Sequence, residues 1–452
     1  MYICLICEKY YFEDDSMLKL NGVSVPHRKH TAALKAVRMD LPKSVTIPMN
    51  MHIGAPSVPC VKKGDEVKVG QLIAEASGFV SSPVYASVSG TVTEVGTMLA
   101  STGNQVPCIT IESDGLGEVW SECAPKTISN YDEFIAAVRE SGVIGLGGAG
   151  FPTSVKLDVK DTSRISEIVI NGAECEPYIT SDTRTMIDDA DLIAEGIELL
   201  KKFLNVKKVI IGIEKNKPEA INEMKKLADD VVEVKALPSI YPQGGEKVLI
   251  YNCTGKIVPE GKLPIDVGVV VLNCTTLAFI AKYVKTGVPL VEKTITVDGS
   301  AVSEPKNVIV PIGTPMIDVF NFCGGFKEEP MKVLYGGPMM GVSVPTLDSP
   351  VLKNTNAIIA LNKKDATLPE PTQCIKCGKC VDACPLNLMP LDFAKALELK
   401  DYALLEKRKV NICMECGCCS YVCPARRPLV ENNKLAKAAL RKYQAEKDGG
   451  KK

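Results

Sequence analysis

Apolar positions near the start of the chain come in short alternating runs. Between residues 45 and 113 these runs are separated by glycine and proline turns, a pattern typical of β-strands. The predicted strands are Val58–Val61, Glu66–Val69, Gln71–Ala76, Val84–Val88, Gly90–Val95 and Cys108–Glu112. This part of the chain is therefore predicted to form a small all-β domain.

The pattern changes between residues 125 and 290, where apolar strands alternate with amphipathic helices. The helix predicted at Asp188–Leu204 places apolar residues three and four positions apart, as at Ile193, Ile197 and Leu200. The other predicted elements are the strands Glu167–Asn171, Val206–Ile213, Val231–Leu237 and Val267–Cys274, and the helices Asp132–Glu140 and Pro218–Asp229. Such alternation predicts an α/β domain with a parallel sheet.

β-strand signals return from about residue 290 to about residue 345, with one helix predicted at Met316–Phe322. A polar linker from Lys363 to Pro371 then leads to the last part of the chain, where Leu391–Lys409 has helical patterning. The segment after Pro428 is basic and amphipathic. We expect it to be a solvated terminal helix, with contact to a partner as the alternative.

Two cysteine runs near the C-terminus, each followed by proline, carry the strongest chemical signal. They are Cys374-x2-Cys377-x2-Cys380-x3-Cys384-Pro385 and Cys413-x2-Cys416-x2-Cys419-x3-Cys423-Pro424. In the bacterial ferredoxin pattern the first three thiolates hold one 4Fe–4S cluster and the fourth crosses to the other. One cluster is thus predicted on Cys374, Cys377, Cys380 and Cys423, and the second on Cys413, Cys416, Cys419 and Cys384. A zinc ribbon, the alternative, leaves half of these cysteines and both prolines unexplained.

The composition of the chain bears on its partners and on the compartment in which it works. The formal net charge of −1 gives no electrostatic reason to expect nucleic acid as a partner. The other cysteines, among 18 in all, form no disulfide framework and favour a reducing compartment. No apolar stretch has the length of a transmembrane helix. The acidic N-terminus does not resemble a signal peptide. Cys4 and Cys7 are either half of a metal site or part of a leader ahead of an alternative start at Met17.

A glycine-rich segment, Gly145-Leu146-Gly147-Gly148-Ala149-Gly150, satisfies GxGxxG but lacks the context of a dinucleotide fingerprint. That fingerprint needs a strand before it and a helix starting within it, whereas a helix is predicted before this one and Phe151-Pro152 follows it. Backbone N–H groups in such a segment can still hold a phosphate.

Four motifs in order, starting with this segment, resemble the NADH-oxidising subunit of respiratory complex I. They are Gly142-x2-Gly145-x-Gly147-Gly148-Ala149-Gly150-Phe151-Pro152-Thr153-x2-Lys156, Asn171-x2-Glu174-x-Glu176-Pro177, Tyr241-x2-Gly244-x-Glu246 and Asn273-x2-Thr276. This sequence has Ile144 and Leu146 where that family has arginines, and Ala173 where it has an acidic residue.

The phrases Gly64–Gln71 and Val88–Val92 resemble biotinyl/lipoyl-type barrel-sandwich domains. The hairpin between them, Gly78–Pro83, lacks the lysine that such carriers modify, so a structural or docking role is expected. The domain order, with His52-Ile53-Gly54 and Gly336-Gly337-Pro338-Met339-Met340-Gly341, resembles the RnfC family of the Rnf electron-transport complex.

The resemblance implies a multidomain α/β protein. Its parts would be an N-terminal segment (1–44), a barrel-sandwich hybrid domain (45–124), a complex I flavoprotein-like FMN/NAD(H) domain (125–290), a β-grasp, SLBB-like domain (291–362), a two-cluster ferredoxin domain (363–430) and a basic tail (431–452). It also implies noncovalent FMN and NAD(H) near Gly145, Gly147, Gly148, Lys156, Asn171, Glu174, Glu176, Tyr241, Gly244, Glu246 and Asn273.

The expected function is that of a peripheral NAD(H) dehydrogenase subunit of an ion-translocating ferredoxin:NAD+ oxidoreductase on the cytoplasmic face of the membrane. A flavin suits such a chain because it exchanges hydride with nicotinamide and single electrons with iron–sulfur clusters. Ferredoxin would act through another subunit. The alternatives are a soluble flavin and iron–sulfur reductase, such as a corrinoid (cobalamin) reductase, and a non-catalytic electron relay.

Overall fold

The computed structural model describes residues 20–449, so Cys4, Cys7 and Met17 lie outside the described part. The first domain pairs a four-stranded antiparallel sheet, in the order β2-β8-β7-β4, with a three-stranded sheet, β3-β5-β6. Its strands are β2 (Ser44–Pro48), β3 (Val58–Pro59), β4 (Glu66–Val67), β5 (Leu72–Glu75), β6 (Val84–Tyr85), β7 (Gly90–Leu99) and β8 (Gln105–Ser113). Alternate residues such as Val45, Ile47 and Ile109 are fully buried between the sheets. Each of the six predicted strands overlaps an observed one, whereas β2 was not predicted.

The second domain is built on four parallel strands in the order β11-β10-β9-β12. They are β9 (Glu167–Gly172), β10 (Val209–Glu214), β11 (Val232–Leu237) and β12 (Val269–Asn273). The helices around them are α1 (Tyr131–Glu140), α2 (Thr153–Leu157), α3 (Ser181–Asp188), α4 (Ala190–Leu204), α5 (Pro218–Lys225), α6 (Glu246–Thr254) and α7 (Cys274–Thr286). The predicted parallel α/β sheet is confirmed. The helix predicted from Asp188 begins later, at Ala190, and a separate helix, α3, precedes it.

A six-stranded sheet, β1-β14-β13-β17-β15-β16, forms the third domain. Its strands are β1 (Val37–Arg38), β13 (Glu292–Asp298), β14 (Lys306–Pro311), β15 (Lys332–Tyr335), β16 (Val342–Ser343) and β17 (Ala357–Leu361), and α8 (Met316–Phe322) packs on it. α8 has both ends where the sequence predicted them. Strand β1 was not predicted. It comes from the N-terminal segment and pairs in parallel with β14.

The last domain is helical and is interrupted by the two cysteine runs. Its helices are α9 (Lys363–Ala366), α10 (Lys379–Asp382), α11 (Pro390–Glu398), α12 (Tyr402–Lys407), α13 (Cys418–Tyr421) and α14 (Leu429–Gly449). The expectation of a solvated terminal helix is wrong, because Ala436 and Leu440 of α14 are buried in the same core as Phe393 of α11. The predicted boundary at residue 430 therefore divides a single helix.

Candidate functional site

The carboxyl ends of β9 and β12 form the crevice in which the predicted nucleotide residues meet. Strands β9, β10 and β11 follow one another across the sheet, and β12 then returns to the opposite side of β9. Open α/β sheets bind ligands at such a switch in strand order, just beyond the strand ends. Asn171 and Asn273 are neighbours there, paired in register as the last positions shared by the two strands.

The glycine loop lies over this crevice. An added Cβ at Gly147 would lie 3.0 Å from Nδ2 of Asn273, so the loop runs directly against the end of β12. The loop's carbonyls are held from outside: Nδ2 of Asn354 donates to Gly148 O at 3.0 Å, and the N–H of Ile53 donates to Gly150 O at 3.0 Å.

The amides of the same loop point to a ligand. Gly147, Gly148 and Ala149 are exposed, and their N–H groups have no hydrogen-bond partner within residues 20–449. Gly148 has a φ of +119°, which L side chains rarely adopt. Three successive free N–H groups form an anion cradle of the kind that phosphates occupy. The loop thus fits the phosphate of FMN.

Two buried lysines, which the sequence analysis did not single out, support this loop from below. Nζ of Lys293 donates to Leu146 O at 2.7 Å, and Nζ of Lys353 donates to Gly142 O at 2.8 Å. Burial lowers the pKa of both lysines to about 7. Their apolar surroundings come from strands and loops distant in sequence, so no local pattern marks them. When these two lysines are protonated, they add positive charge beneath the anion cradle.

Lys156, Glu246, Asn171 and Gly244 also converge at the crevice. Nζ of Lys156 lies 2.7 Å from Oε1 of Glu246 and donates to Val271 O at 3.1 Å. Nδ2 of Asn171 donates to Gly244 O at 3.0 Å. These residues come from three separate predicted motifs, and the fold brings them together with the glycine loop.

The side chains of Glu174 and Glu176 are occupied by backbone amides. Oε1 of Glu174 accepts from the N–H of Asp182 at 2.6 Å, at the start of α3. The carboxylate of Glu176 accepts from the N–H groups of Met339 and Met340, at 3.0 and 2.7 Å. Burial raises the pKa of each carboxyl to about 7. Both glutamates therefore organise the backbone behind the crevice.

Lys29, in the N-terminal segment, secures the same backbone and was not predicted. Its Nζ donates to the carbonyls of Glu174, Glu176 and Ile179, at 2.8, 2.8 and 2.5 Å. Such a role leaves no signal in the sequence, because all three acceptors are main-chain atoms far along the chain. Lys29 holds the turn that orients both glutamates.

Tyr241 lies between the crevice and the cluster domain. Its hydroxyl donates to Cys416 O at 2.8 Å, and its ring is buried in a core that includes Cys416 and Cys418. Cys418, which lies within the second run but is not one of the predicted cluster ligands, donates its thiol to Tyr241 O at 3.8 Å. The cluster domain is thus docked on the loop that also supplies Gly244 and Glu246.

The eight predicted ligands form two groups, with the fourth cysteine of each run crossing over. Burial raises the pKa of the Cys380 thiol, and the nearby sulfurs of Cys423, Cys374 and Cys377 raise it further; we call these four cysteines the outer group. Burial, followed by the nearby sulfurs of Cys413 and Cys416, raises the pKa of the Cys384 and Cys419 thiols; we call these four cysteines the inner group.

The two groups differ in burial. Cys377 of the outer group is exposed, whereas Cys384, Cys416 and Cys419 of the inner group are buried. Burial, reinforced by the neighbouring sulfurs, raises the pKa of Cys419 to about 12, so its thiolate needs a compensating positive charge.

Four thiols that meet in one place are the donor set that a 4Fe–4S cluster takes. In residues 20–449 no three Cys, His, Asp or Glu side chains converge closely enough to hold one metal ion. A single zinc ion binds each sulfur at about 2.3 Å and draws its ligands together. The inner thiols instead line a cavity together with Leu388, Pro390 and Val430. A multi-atom iron–sulfur cluster suits this arrangement.

The barrel-sandwich domain is fixed to the crevice domain through its lysine-free hairpin. Arg139 of α1 donates to Phe79 O at 3.2 Å, and the hydroxyl of Ser82 donates to Gly142 O at 3.0 Å. These contacts support the expected structural or docking role.

Comparison with known families gives four consecutive matches. They are the RnfC barrel sandwich hybrid domain at residues 19–116, the Nuo51 FMN-binding domain at 138–282, the SLBB domain at 294–343 and a 4Fe-4S dicluster domain at 373–426. The predicted fold class is confirmed, as is the prediction of FMN and 4Fe–4S clusters as cofactors.

Three curated relatives match this chain over most of their own length. The chain is 43% identical over 390 residues to the C subunit of the proton-translocating ferredoxin:NAD(+) oxidoreductase complex of Clostridium ljungdahlii, covering 85% of each chain. It is 43% identical over 425 residues to the Na(+)-translocating counterpart of Acetobacterium woodii, covering 93% of this chain and 96% of that one. It is 39% identical over 429 residues to the C subunit of the ion-translocating oxidoreductase complex of Rhodobacter capsulatus, covering 93% and 82%. Among residues 20–449 no helix has the length and apolar character needed to cross a membrane.

Proposed function

Because this chain belongs to the RnfC family of ion-translocating oxidoreductase complexes, we propose that it is the NAD(H)-oxidoreductase subunit of such a complex. It passes electrons between two 4Fe–4S clusters, FMN and NAD(H). It is a peripheral subunit, bound to membrane-embedded partners on the cytoplasmic face. Ferredoxin exchanges electrons with it through another subunit.

The observation that carries this proposal is the docking of the inner cysteines on the crevice domain. The loop that contains Tyr241 contacts Cys416 and, a few residues later, supplies Gly244 and Glu246 to the crevice. A nucleotide site and a cluster site therefore share one short segment of backbone. This is the arrangement that electron transfer between the two sites requires.

Within the crevice, the chain's own groups would hold and orient FMN. The N–H groups of Gly147, Gly148 and Ala149 would donate to the phosphate, and Lys156, which Glu246 keeps in position, would add a positive charge. Bound FMN supplies the chemistry that couples hydride exchange with NAD(H) to the one-electron exchange of the clusters. Asn171 and Asn273 form the floor of the crevice at the strand ends.

The burial of the two cysteine groups supports one order of electron transfer. The inner group lies against Tyr241 and the crevice domain, whereas the outer group has an exposed cysteine, Cys377, and an exposed neighbour, Ile375. A cluster held by the outer group would therefore face the partner subunit, and a cluster held by the inner group would face the crevice that would hold FMN.

The test is anaerobic purification of this chain alone, with FMN and iron counted before NADH is added. We expect one FMN and about eight irons, the content of two 4Fe–4S clusters, with bleaching of the flavin by NADH. Clusters without flavin or NADH response would reduce the chain to an electron relay. Flavin reduction without binding to membrane subunits, but with a soluble corrinoid acceptor, would favour the reductase alternative.

A further inference from the structure

One side chain of α14 faces the inner cysteines. Asn433 is 1% exposed, and its Nδ2 lies 3.6 Å from Sγ of Cys413 and 3.9 Å from Sγ of Cys419. The N–H end of the amide faces the sulfurs, as expected, because a carbonyl oxygen would repel thiolates. Its Oδ1 has no partner in the described part of the chain.

Lys437, one helical turn further along α14, reaches the same loop. Its Nζ donates to Cys413 O at 2.9 Å and forms an ion pair with Glu415 at 2.5 Å. Glu415 offsets part of this charge, so Lys437 acts chiefly through its bond to the ligand loop. α14 thus brings two donors to the inner group.

The outer half of the domain has neither donor at the matching positions. Helices α11 and α14 begin at the same distance along the chain from the last cysteine of the run before them, Cys384 and Cys423. The two helices can therefore be compared position by position. Ala394 corresponds to Asn433, and Glu398 corresponds to Lys437. Glu398 is acidic and is paired with Arg427. The two halves repeat the cysteines but not these donors.

We propose that Asn433, assisted by Lys437, raises the reduction potential of the inner cluster relative to that of the outer cluster. This inference rests on the proposed function, since it requires two clusters. Reduction adds negative charge to the cluster and its thiolates, and N–H donors to those sulfurs stabilise the added charge. Burial of the inner cysteines disfavours the same charge, so Asn433 offsets a cost that is smaller for the outer group, whose cysteines are exposed or only partly buried.

The consequence is a favoured direction of electron transfer within the chain. With the inner potential raised, an electron that enters at the outer cluster moves favourably towards the crevice. Asn433 is a positioning and tuning residue in this scheme, because it touches the ligands of the cluster and not the substrate.

Redox titration of the iron-loaded protein, followed by electron paramagnetic resonance, tests this directly. Asn433→Leu keeps the branched heavy-atom skeleton of the side chain and removes the donor, so the midpoint potential of one cluster should become more negative while the other stays unchanged. Asn432→Leu, on the neighbouring half-buried position of α14, is the matched control and should shift neither potential. A Cys377→Ser variant, which alters the signal of the outer cluster only, identifies which cluster has moved.

The proposal is overturned if Asn433→Leu leaves both potentials unchanged at full iron content, or if the outer cluster is the one that shifts. If the Asn433→Leu variant does not retain iron, the reduction potentials of the Lys437→Met variant provide the test instead. A more negative inner potential supports the proposal and an unchanged one overturns it, with exposed Lys434→Met as the control for charge. Failure of the proposed function would be seen separately, as absent flavin or absent NADH response in the wild type.

Discussion

Replacing Gly148 by alanine tests whether the glycine loop binds FMN through its amides. Gly148 has a φ of +119°, and an alanine held there costs about 1–3 kcal/mol. The loop can relieve this strain by rotating its backbone, because it is exposed and only Nδ2 of Asn356, at 4.0 Å, lies near the added Cβ. That rotation turns the N–H groups of Gly148 and Ala149 away from the phosphate.

The expected loss of affinity follows from the bonds removed. A hydrogen bond to a charged group contributes about 1.5–3 kcal/mol, so losing even one of these two bonds raises the dissociation constant of FMN about 10- to 150-fold. FMN fluorescence during titration of the flavin-free protein measures this constant. Thermal unfolding of the same protein measures the loss of stability that the strain causes.

Gly64→Ala is the matched control. Gly64 also has a positive φ, +93°, and an added Cβ meets nothing within 4 Å in its turn of the barrel-sandwich domain. It should lower stability by a similar amount and leave FMN affinity unchanged. Equal FMN binding by Gly148→Ala and Gly64→Ala, at comparable losses of stability, would refute the assignment of the loop.

Three further predictions concern single side chains. Lys156→Met should weaken FMN binding at least tenfold without changing iron content, because a charged partner of the phosphate is lost, whereas exposed Lys160→Met should change neither. Tyr241→Phe should lower stability by about 1–3 kcal/mol in denaturant unfolding, because the buried carbonyl of Cys416 loses its donor; an unchanged midpoint would contradict this contact. The raised pKa of Glu176, about 7 against an ordinary 4.5, means that the folded state holds a proton that the unfolded state releases. Thermal stability of the wild type should therefore fall relative to that of Glu176→Gln as pH rises from about 5 to about 7.5, and parallel pH profiles would exclude this titration.

Elements with a strong local pattern were predictable from the sequence. The helix Met316–Phe322 was predicted at both ends, and the four strands of the parallel sheet were found within a few residues of their observed bounds. Strand β1 was missed because its two residues, Val37 and Arg38, are both exposed and show no alternation. It exists only because β14 offers an edge to pair with.

Site residues were predictable as motifs, but the directions of their side chains were not. Glu174 and Glu176 follow a buried strand, where a carboxylate can equally contact a ligand or bind amides. Whether these carboxylates contact a ligand or bind amides depends on where Asp182 and Met339 lie, and tertiary packing sets those positions. Asn433 was not predicted for a similar reason, because the many charged residues of α14 made its buried face hard to recognise in the sequence.

The N-terminal segment has a consequence for the order in which this chain folds. Val23 pairs with Tyr241, Val37 pairs with Val308, and Asn21 donates to Asn387. A ribosome therefore releases this segment long before any of its partners has been synthesised. Contacts of such wide sequence separation form late, so we expect the segment to close over the assembled domains as one of the last steps of folding.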